Sequence, residues 1–370
     1  MQIVFLCKHC HLIIIPSRFG LLMFAQTICA IAQVFVLGIP ARLAAVWFGP
    51  DEVSTATSIG VFGNQVGVAV GFFLPPILVP NSDSLDSLSG DFQVMFYLGA
   101  ALTTALLILI LLLFRDKPPH PPSRAQQLAV EAATHENYLQ SLLRLVKNKG
   151  FVILTVAYGI NTGSFYGIST LLNAIILRYF ENEERNAGRI GLTIVLSGIA
   201  GAVLAGIWLD KTKKFKETTT GIYLLSLVGA LAFTFTLDLD KIWIVFLTAG
   251  SLGFFMTGYL PVGFEFAAEI TFPESEGTSS GLLNASAQIF GIIFTLGMRA
   301  FMEEFNVLTA NITMCGALLV GGVMTSLIKA DYRRQEAGKE VAKCLQVDVE
   351  VTPSDSNHHE EQIDDTQVLA

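Results

Sequence analysis

Charge is scarce in this chain: 15% of its 370 residues are Asp, Glu, Lys or Arg, against 52% hydrophobic. So little charge cannot cover the surface of a soluble domain of this length, which excludes an ordinary globular protein. Histidine is scarcer still, six residues in all, and none falls inside a long apolar run. The five cysteines stand apart at 7, 10, 29, 315 and 344 and build no disulfide framework. No cluster of His, Cys, Asp or Glu within the apolar runs has ligand spacing, so no metal is expected. Glycine-rich phosphate loops, paired catalytic carboxylates and nucleophile triads are missing too, so neither an enzyme nor a cofactor is expected. The net charge of −8 comes largely from the stretch after Arg334, and no basic stripe points to nucleic acid. Residues 1–16 lack the small-residue cleavage site of a signal peptide.

What is present is a succession of long apolar runs. Nine membrane spans are predicted, at about 21–48, 55–79, 92–114, 150–178, 189–209, 220–237, 241–266, 278–300 and 308–329. The fold class is therefore an all-α polytopic membrane protein whose partner is the lipid bilayer. Lys and Arg gather in alternate connections. Residues 115–149 carry Arg115, Lys117, Arg124, Arg144, Lys147 and Lys149, and Lys211, Lys213, Lys214 and Lys216 follow the fifth span. Lys329, Arg333 and Arg334 follow the last. The intervening connections 80–91 and 179–188 are rich in Asp, Glu, Ser and Asn. This asymmetry predicts that the basic connections and the C-terminus are cytoplasmic. Residues 331–370 read as a disordered acidic tail.

Two stretches 223 positions apart spell nearly the same thing. Pro50-Asp51 precedes Gln65 by fifteen residues, and Pro273-Glu274 precedes Gln288 by fifteen. Thr55, Thr57 and Ser58 match Thr278, Ser280 and Gly281 in register. Parallel repeats of this kind mark transporters whose substrate sits near the bilayer midplane, at the repeat interface. At about 1.5 Å per residue, each glutamine lies roughly 22 Å from a headgroup-level start. An amide at that depth needs a partner or a ligand. Gln65 and Gln288, with Asn64 and Asn284 beside them, are therefore candidate substrate residues; the plainer reading is hydrogen-bonded helix glue.

The fourth span reads Tyr158-Gly-Ile-Asn161-Thr-Gly-Ser-Phe-Tyr166-Gly. Gly159, Gly163 and Gly167 form a smooth face for close helix approach, and Tyr158, Thr162 and Tyr166 fall on a neighbouring stripe. Tyr166 is the candidate aromatic face for an organic cation, because a ring quadrupole attracts a quaternary ammonium without a hydrogen bond. Asn161 joins the candidate set. Glu265 and Glu269, one turn apart, could couple a proton or pair with a neighbouring loop.

Gly206-Ile-Trp-Leu-Asp210-Lys211-Thr-Lys213-Lys214 resembles the G-x-x-x-D-[RK]-x-x-[RK] signature of the major facilitator superfamily, found between helices 2 and 3 and again between helices 8 and 9. Asp210, Lys211 and Lys214 are accordingly expected to act as a structural latch of a gate rather than to bind substrate. Registration on this signature and on the repeat agrees: nine of twelve helices are expected, with the first three missing from a shortened gene model, an isoform or a shortened protein.

Longer runs resemble one family, the feline leukaemia virus subgroup C receptor-related transporters. They include Ala41-Arg-Leu-Ala-Ala-Val-Trp-Phe-Gly-Pro50, Gly63-Asn-Gln65, Pro75-Pro-Ile-Leu-Val-Pro-Asn81, Asn186-Ala-Gly-Arg-Ile-Gly-Leu-Thr193, Gly253-Phe-Phe-Met-Thr-Gly-Tyr-Leu-Pro261 and Pro273 to Gln288. The likeness covers about residues 25–335. It implies choline, ethanolamine or haem as substrate, a cavity lined by the two glutamines, alternating access, and placement in the plasma membrane. A small cation is favoured, because haem needs an axial ligand and no histidine lies in a span. Cys7-Lys-His9-Cys10-His11 matches the C-x-x-C-H haem-attachment pattern, but no haem-binding domain surrounds it. The expected organisation is a divergent start at 1–20, three spans of one helical half at 21–114, a cytoplasmic loop at 115–149, a six-helix half at 150–330 and the tail. A non-transporting receptor or regulatory membrane protein is the rival reading.

Overall fold

The structure, a computed structural model, describes residues 19–37, 53–80, 84–115, 138–274 and 276–329, with 331–333, 335, 336 and a few single positions elsewhere. The Cys7–His11 pattern and most of the acidic tail lie outside the described residues. All regular structure among the described residues is helical: α1 Phe19–Leu37, α2 Val53–Phe73, α3 Pro75–Leu78, α4 Leu85–Leu113, α5 Tyr138–Lys147, α6 Lys149–Tyr179, α7 Glu184–Thr212, α8 Phe215–Thr236, α9 Ile242–Thr271, α10 Glu276–Glu304 and α11 Val307–Ser326.

Every predicted span overlaps a helix, although residues 38–48 of the first lie largely outside the described residues. Among the described residues, seven helices (α4 and α6–α11) are long and apolar enough to cross a membrane, and shorter apolar helical stretches cover Met23–Gln33 and Phe62–Leu78. The protein is thus a multi-pass helical membrane protein. The second span, expected as one run over 55–79, is interrupted at its prolines. Pro75 and Pro76 have no N–H to donate, so α2 ends and a single turn, α3, restarts from the Leu74 carbonyl, which accepts from Ile77 and Leu78.

Helices α6 to α11 pack around one core, in which Tyr158, Leu172, Tyr223, Leu252, Tyr259, Phe266, Leu283 and Leu318 are essentially sealed from outside. The seams of this core are made by glycine. A methyl group on Gly163 of α6 would stand 2.7 Å from the Gly291 backbone nitrogen of α10, and one on Gly159 would strike Ser286 and Phe290. The predicted face of Gly159, Gly163 and Gly167 is therefore the α6–α10 contact. Ser286 reinforces it by donating its hydroxyl to the Thr155 carbonyl across the seam, at 2.8 Å. Between α7 and α9 the backbones meet similarly, with Gly201 under the Phe254 carbonyl. Apolar side chains gain little by leaving lipid for protein, so close backbone approach is what holds such pairs together.

Outside this core, α2 lies against α7, where Phe72 fills the space over Gly188 and Gly191. Helix α4 is exposed along most of its length.

One element was not foreseen. Within the polar connection 115–149, α5 lies at the end of the core and is held there by the α9–α10 turn. Arg144 grips Glu274 with two nitrogens, and the Ser141 hydroxyl donates to the same carboxylate at 2.6 Å. Asn148, the single residue between α5 and α6, accepts from the Phe151 N–H as N-cap of α6 and donates to the Ile270 carbonyl at 3.1 Å. Leu145 is buried beneath α5. Hydrogen bonding from Arg144 holds the Glu274 carboxyl below the usual carboxylate range, and Ser141 adds to the effect.

Two measurements test these contacts. Gly163→Leu should lower the thermal midpoint of the purified protein by the equivalent of about 1–3 kcal/mol, while Gly316→Leu, where nothing lies within 4 Å, should leave it unchanged; equal midpoints would remove the seam. Because the folded-state pKa of Glu274 is depressed, its pairing stabilises at pH values above its usual value of about 4.3 and is lost as pH falls through the lowered folded value. Arg144 is 56% exposed, so the pair is worth roughly 0.2–1 kcal/mol. Arg144→Ala should therefore lower the midpoint slightly at pH 7, and the gap to wild type should narrow as pH falls below about 4.3. A gap that stays constant on acidification would mean that Arg144 acts through packing.

Candidate functional site

Each repeat glutamine stands twelve residues past the first residue of its helix, Gln65 from Val53 and Gln288 from Glu276. The repeat register is thus intact in three dimensions. The depth is about 18 Å from the helix start rather than 22 Å; in the second repeat Pro273-Glu274 form a turn ahead of α10, whereas Pro50-Asp51 lie outside the described residues.

On α10, Asn284 and Gln288 are exposed and lie one turn apart on the same side of the helix, turned away from buried Leu283 and Ala287. Ile292 continues that side and is also open. On α2, Asn64 is exposed and Gln65 half-buried. Helix α2 packs chiefly on α7, whereas α10 packs chiefly on α6 and α11. The two glutamines are therefore presented by helices with no shared seam and do not touch.

Tyr166 is placed beside the α10 group. Its ring rests on Gly291, where a methyl group would lie 3.2 Å from the ring edge, and Gly291 follows Gln288 by one turn. The ring is half-buried, with the Phe165 ring 6.3 Å away. Lacking a side chain, Gly291 lets the tyrosine lie against the α10 backbone at the level where the amides open. An aromatic wall and amide dipoles are thereby offered side by side, a pairing suited to a cation that also carries a hydroxyl.

Asn161 is placed differently. It is completely buried inside the six-helix core, and neither end of its amide has a protein partner. Asn311 on α11 is in the same state. The rest of the tyrosine stripe also turns inward. Tyr158 is sealed against Gly263, its ring 5.7 Å from Tyr259 and 5.4 Å from Phe264, and Tyr223 meets Tyr259 edge-on at 5.3 Å. Helical spacing alone could not separate Tyr158 from Tyr166; Gly263 on α9 makes room for one and Gly291 on α10 for the other.

At the lysine-bearing end, α7 finishes with Lys213 in the left-handed conformation, φ 53°. Lys211 and Lys214 are exposed, and the side chain of Asp210 lies outside the described residues. Sequence reasoning missed what binds there instead. The segment after α11 crosses beneath: Tyr332 packs its ring on Phe215 and donates its hydroxyl to Glu217. Gln335 donates its backbone N–H to buried Glu269 at 2.8 Å and its amide to the Lys213 carbonyl. Glu269 is thereby joined to a neighbouring segment, the second of the two roles open to it from sequence.

Comparison with known proteins agrees with this architecture. Residues 3–295 match the family model described as Major Facilitator Superfamily. The chain is 52% identical over 338 residues to the choline/ethanolamine transporter flvcr2b of Danio rerio, covering 91% of this chain and 70% of that protein. It is 53% identical over 326 residues to the choline/ethanolamine transporter FLVCR2 of Rattus norvegicus, covering 88% of this chain and 60% of the relative. In fold, it superposes on the crystal structure of a bacterial homolog of the human lysosomal transporter Spinster, inward-facing and unoccupied, with a TM-score of 0.69 at 13% identity over 90% of this chain and 82% of that one. The chain belongs to the major facilitator superfamily and, within it, to the family of the choline/ethanolamine transporters that its sequence resembles.

Proposed function

We propose that this protein carries a small organic cation, choline or ethanolamine, across the plasma membrane by alternating access, without chemical change to the substrate. The observation that carries the reading is the seating of Tyr166 on Gly291, one turn from Gln288. This sets an aromatic face beside an open amide at matching depth. A quaternary ammonium needs the first and the substrate hydroxyl uses the second. Gln65 and Asn64 supply the equivalent amides from the other repeat, across the opening between α2 and α10. The names of the relatives support the same substrates.

In this reading α1–α4 belong to one half, α6–α11 form the other, and the connection holding α5 joins them. Rocking of the halves is borne at the α2–α7 contact. Lys211 and Lys214, with Asp210, belong to the gate at the cytoplasmic end, where the basic residues also place the C-terminus.

Choline binding and uptake by the protein in liposomes test the site. Tyr166→Phe should retain affinity, and Tyr166→Ala should lose about 2- to 30-fold, the range of a cation–π contact of about 0.5–2 kcal/mol. Gln65→Ala and Gln288→Ala should each cost about 0.5–1.5 kcal/mol, and the double variant should be non-additive because one ligand joins both. Unchanged affinity in Tyr166→Ala, or strictly additive glutamines with only the melting temperature lowered, would reject the shared site. Sidedness is checked with single cysteines in intact cells. A cysteine at Ser84 should react with an impermeant thiol reagent and one at Ser354 should not; labelling at 354 would reverse the orientation.

A further inference from the structure

A groove of about 630 Å³ runs along the outside of the six-helix core between α7, α8 and α9, well away from Tyr166 and the glutamines. Its floor is bare backbone. Gly201 of α7 and Gly258 of α9 meet there, so that a methyl group on Gly258 would lie 3.1 Å from the Gly201 carbonyl. Leu204 and Trp208 of α7, Leu225 of α8 and Phe255 of α9 form its walls, and Gly221 leaves one wall open, with nothing within 4 Å of a Cβ placed there. From Gly201 to Thr212 the groove follows eleven residues of α7, about 16 Å at 1.5 Å per residue. That is half the thickness of a hydrocarbon core of about 30 Å.

Only the outer end is polar, where Thr212, Lys214 and Glu217 line the mouth. Lys211, Lys213 and Lys216 surround it. Among the described residues neither Lys211 nor Lys214 has a carboxylate partner. The one acid lining the mouth, Glu217, is engaged by the Tyr332 hydroxyl at 3.3 Å. Helix α8 starts at this point with no side-chain cap, so the positive end of its dipole adds to the lysines. Exposed Trp208 stands at the boundary between the apolar and the charged parts, the depth at which indole is favoured.

We infer that this groove holds an anionic phospholipid, one acyl chain lying between α7, α8 and α9 down to the Gly201–Gly258 floor and the phosphate group resting among Lys211, Lys214 and the start of α8. A fully apolar channel one leaflet deep, ending in a positive mouth, fits that ligand at both ends. A neutral zwitterionic lipid would satisfy only the apolar part. The site shares Lys211 and Lys214 with the gate proposed above but none of the substrate residues, so the lipid readouts below are separate from choline affinity. It takes its lipid from the leaflet on the lysine-bearing side, the cytoplasmic one in the orientation proposed above.

The experiment uses the full chain in detergent, titrated with phosphatidylserine, phosphatidylcholine or glycerol 3-phosphate, with the thermal midpoint and the lipids retained in native mass spectrometry as readouts. Phosphatidylserine should raise the midpoint and remain bound at lower concentration than phosphatidylcholine, and glycerol 3-phosphate should do neither. Lys211→Gln/Lys214→Gln should weaken phosphatidylserine at least threefold and leave phosphatidylcholine unchanged. Gly221→Leu, which adds a side chain to the groove where a Cβ has no protein atom within 4 Å, should reduce retention of both lipids, whereas Gly316→Leu should not. Equal retention of the two lipids by wild type, full retention by the lysine variant or by Gly221→Leu, or an equal response to glycerol 3-phosphate would each overturn the assignment.

Discussion

The close approach of helix backbones at Gly163–Gly291 and Gly201–Phe254 sets the geometry that the rest of this protein depends on. In lipid, an apolar face has no reason to prefer protein over acyl chains, so helices associate where their backbones come near enough for dispersion and weak polar contacts. The α6–α10 seam decides where Tyr166 lies, because its ring occupies the place that a side chain at 291 would fill. The same packing buries Leu283 and Ala287 and leaves Asn284 and Gln288 open on α10. Packing and candidate site are in this respect one arrangement.

Polar groups divide into three populations. Threonine and serine hydroxyls along the helices mostly return to a carbonyl one turn back, as Thr155, Ser164, Thr219 and Thr325 do, which silences them in an apolar medium. The amides of Gln288 and Asn284 remain open. Asn161 and Asn311 are sealed in the core without protein partners, and a buried amide of that kind costs about 1–3 kcal/mol relative to a satisfied one.

Much of this was legible in the amino-acid sequence. Runs of apolar residues marked every span, because a helix in lipid must be apolar over about twenty residues. The duplicated Pro-acid and glutamine pattern carried over into identical offsets on α2 and α10, and the Gly159–Gly163–Gly167 face proved to be a helix seam. What failed was whatever depended on a partner far away in the chain. Asn161 and Tyr158 share a helix with Tyr166, and only the positions of Gly263 and Gly291 on other helices separate inside from wall. Helix α5 was hidden because it is short and lies in a charged stretch; its apolar side, Leu142, Leu145 and Val146, has little meaning until Glu274 is known to be its anchor. The contact of Tyr332 and Gln335 with Lys213, Glu217 and Glu269 joins residues more than sixty positions apart, and no local pattern announces it.

Fastening α5 to the α9–α10 turn also changes the leash between the two groups of helices. Residues 115–149 would span up to about 120 Å if fully extended, at roughly 3.5 Å each. With Arg144 held by Glu274 and Asn148 by the Ile270 carbonyl, the connection left between Phe114 and Tyr138 has a contour length of roughly 80 Å by the same measure. It is moored at a point that rides with α9.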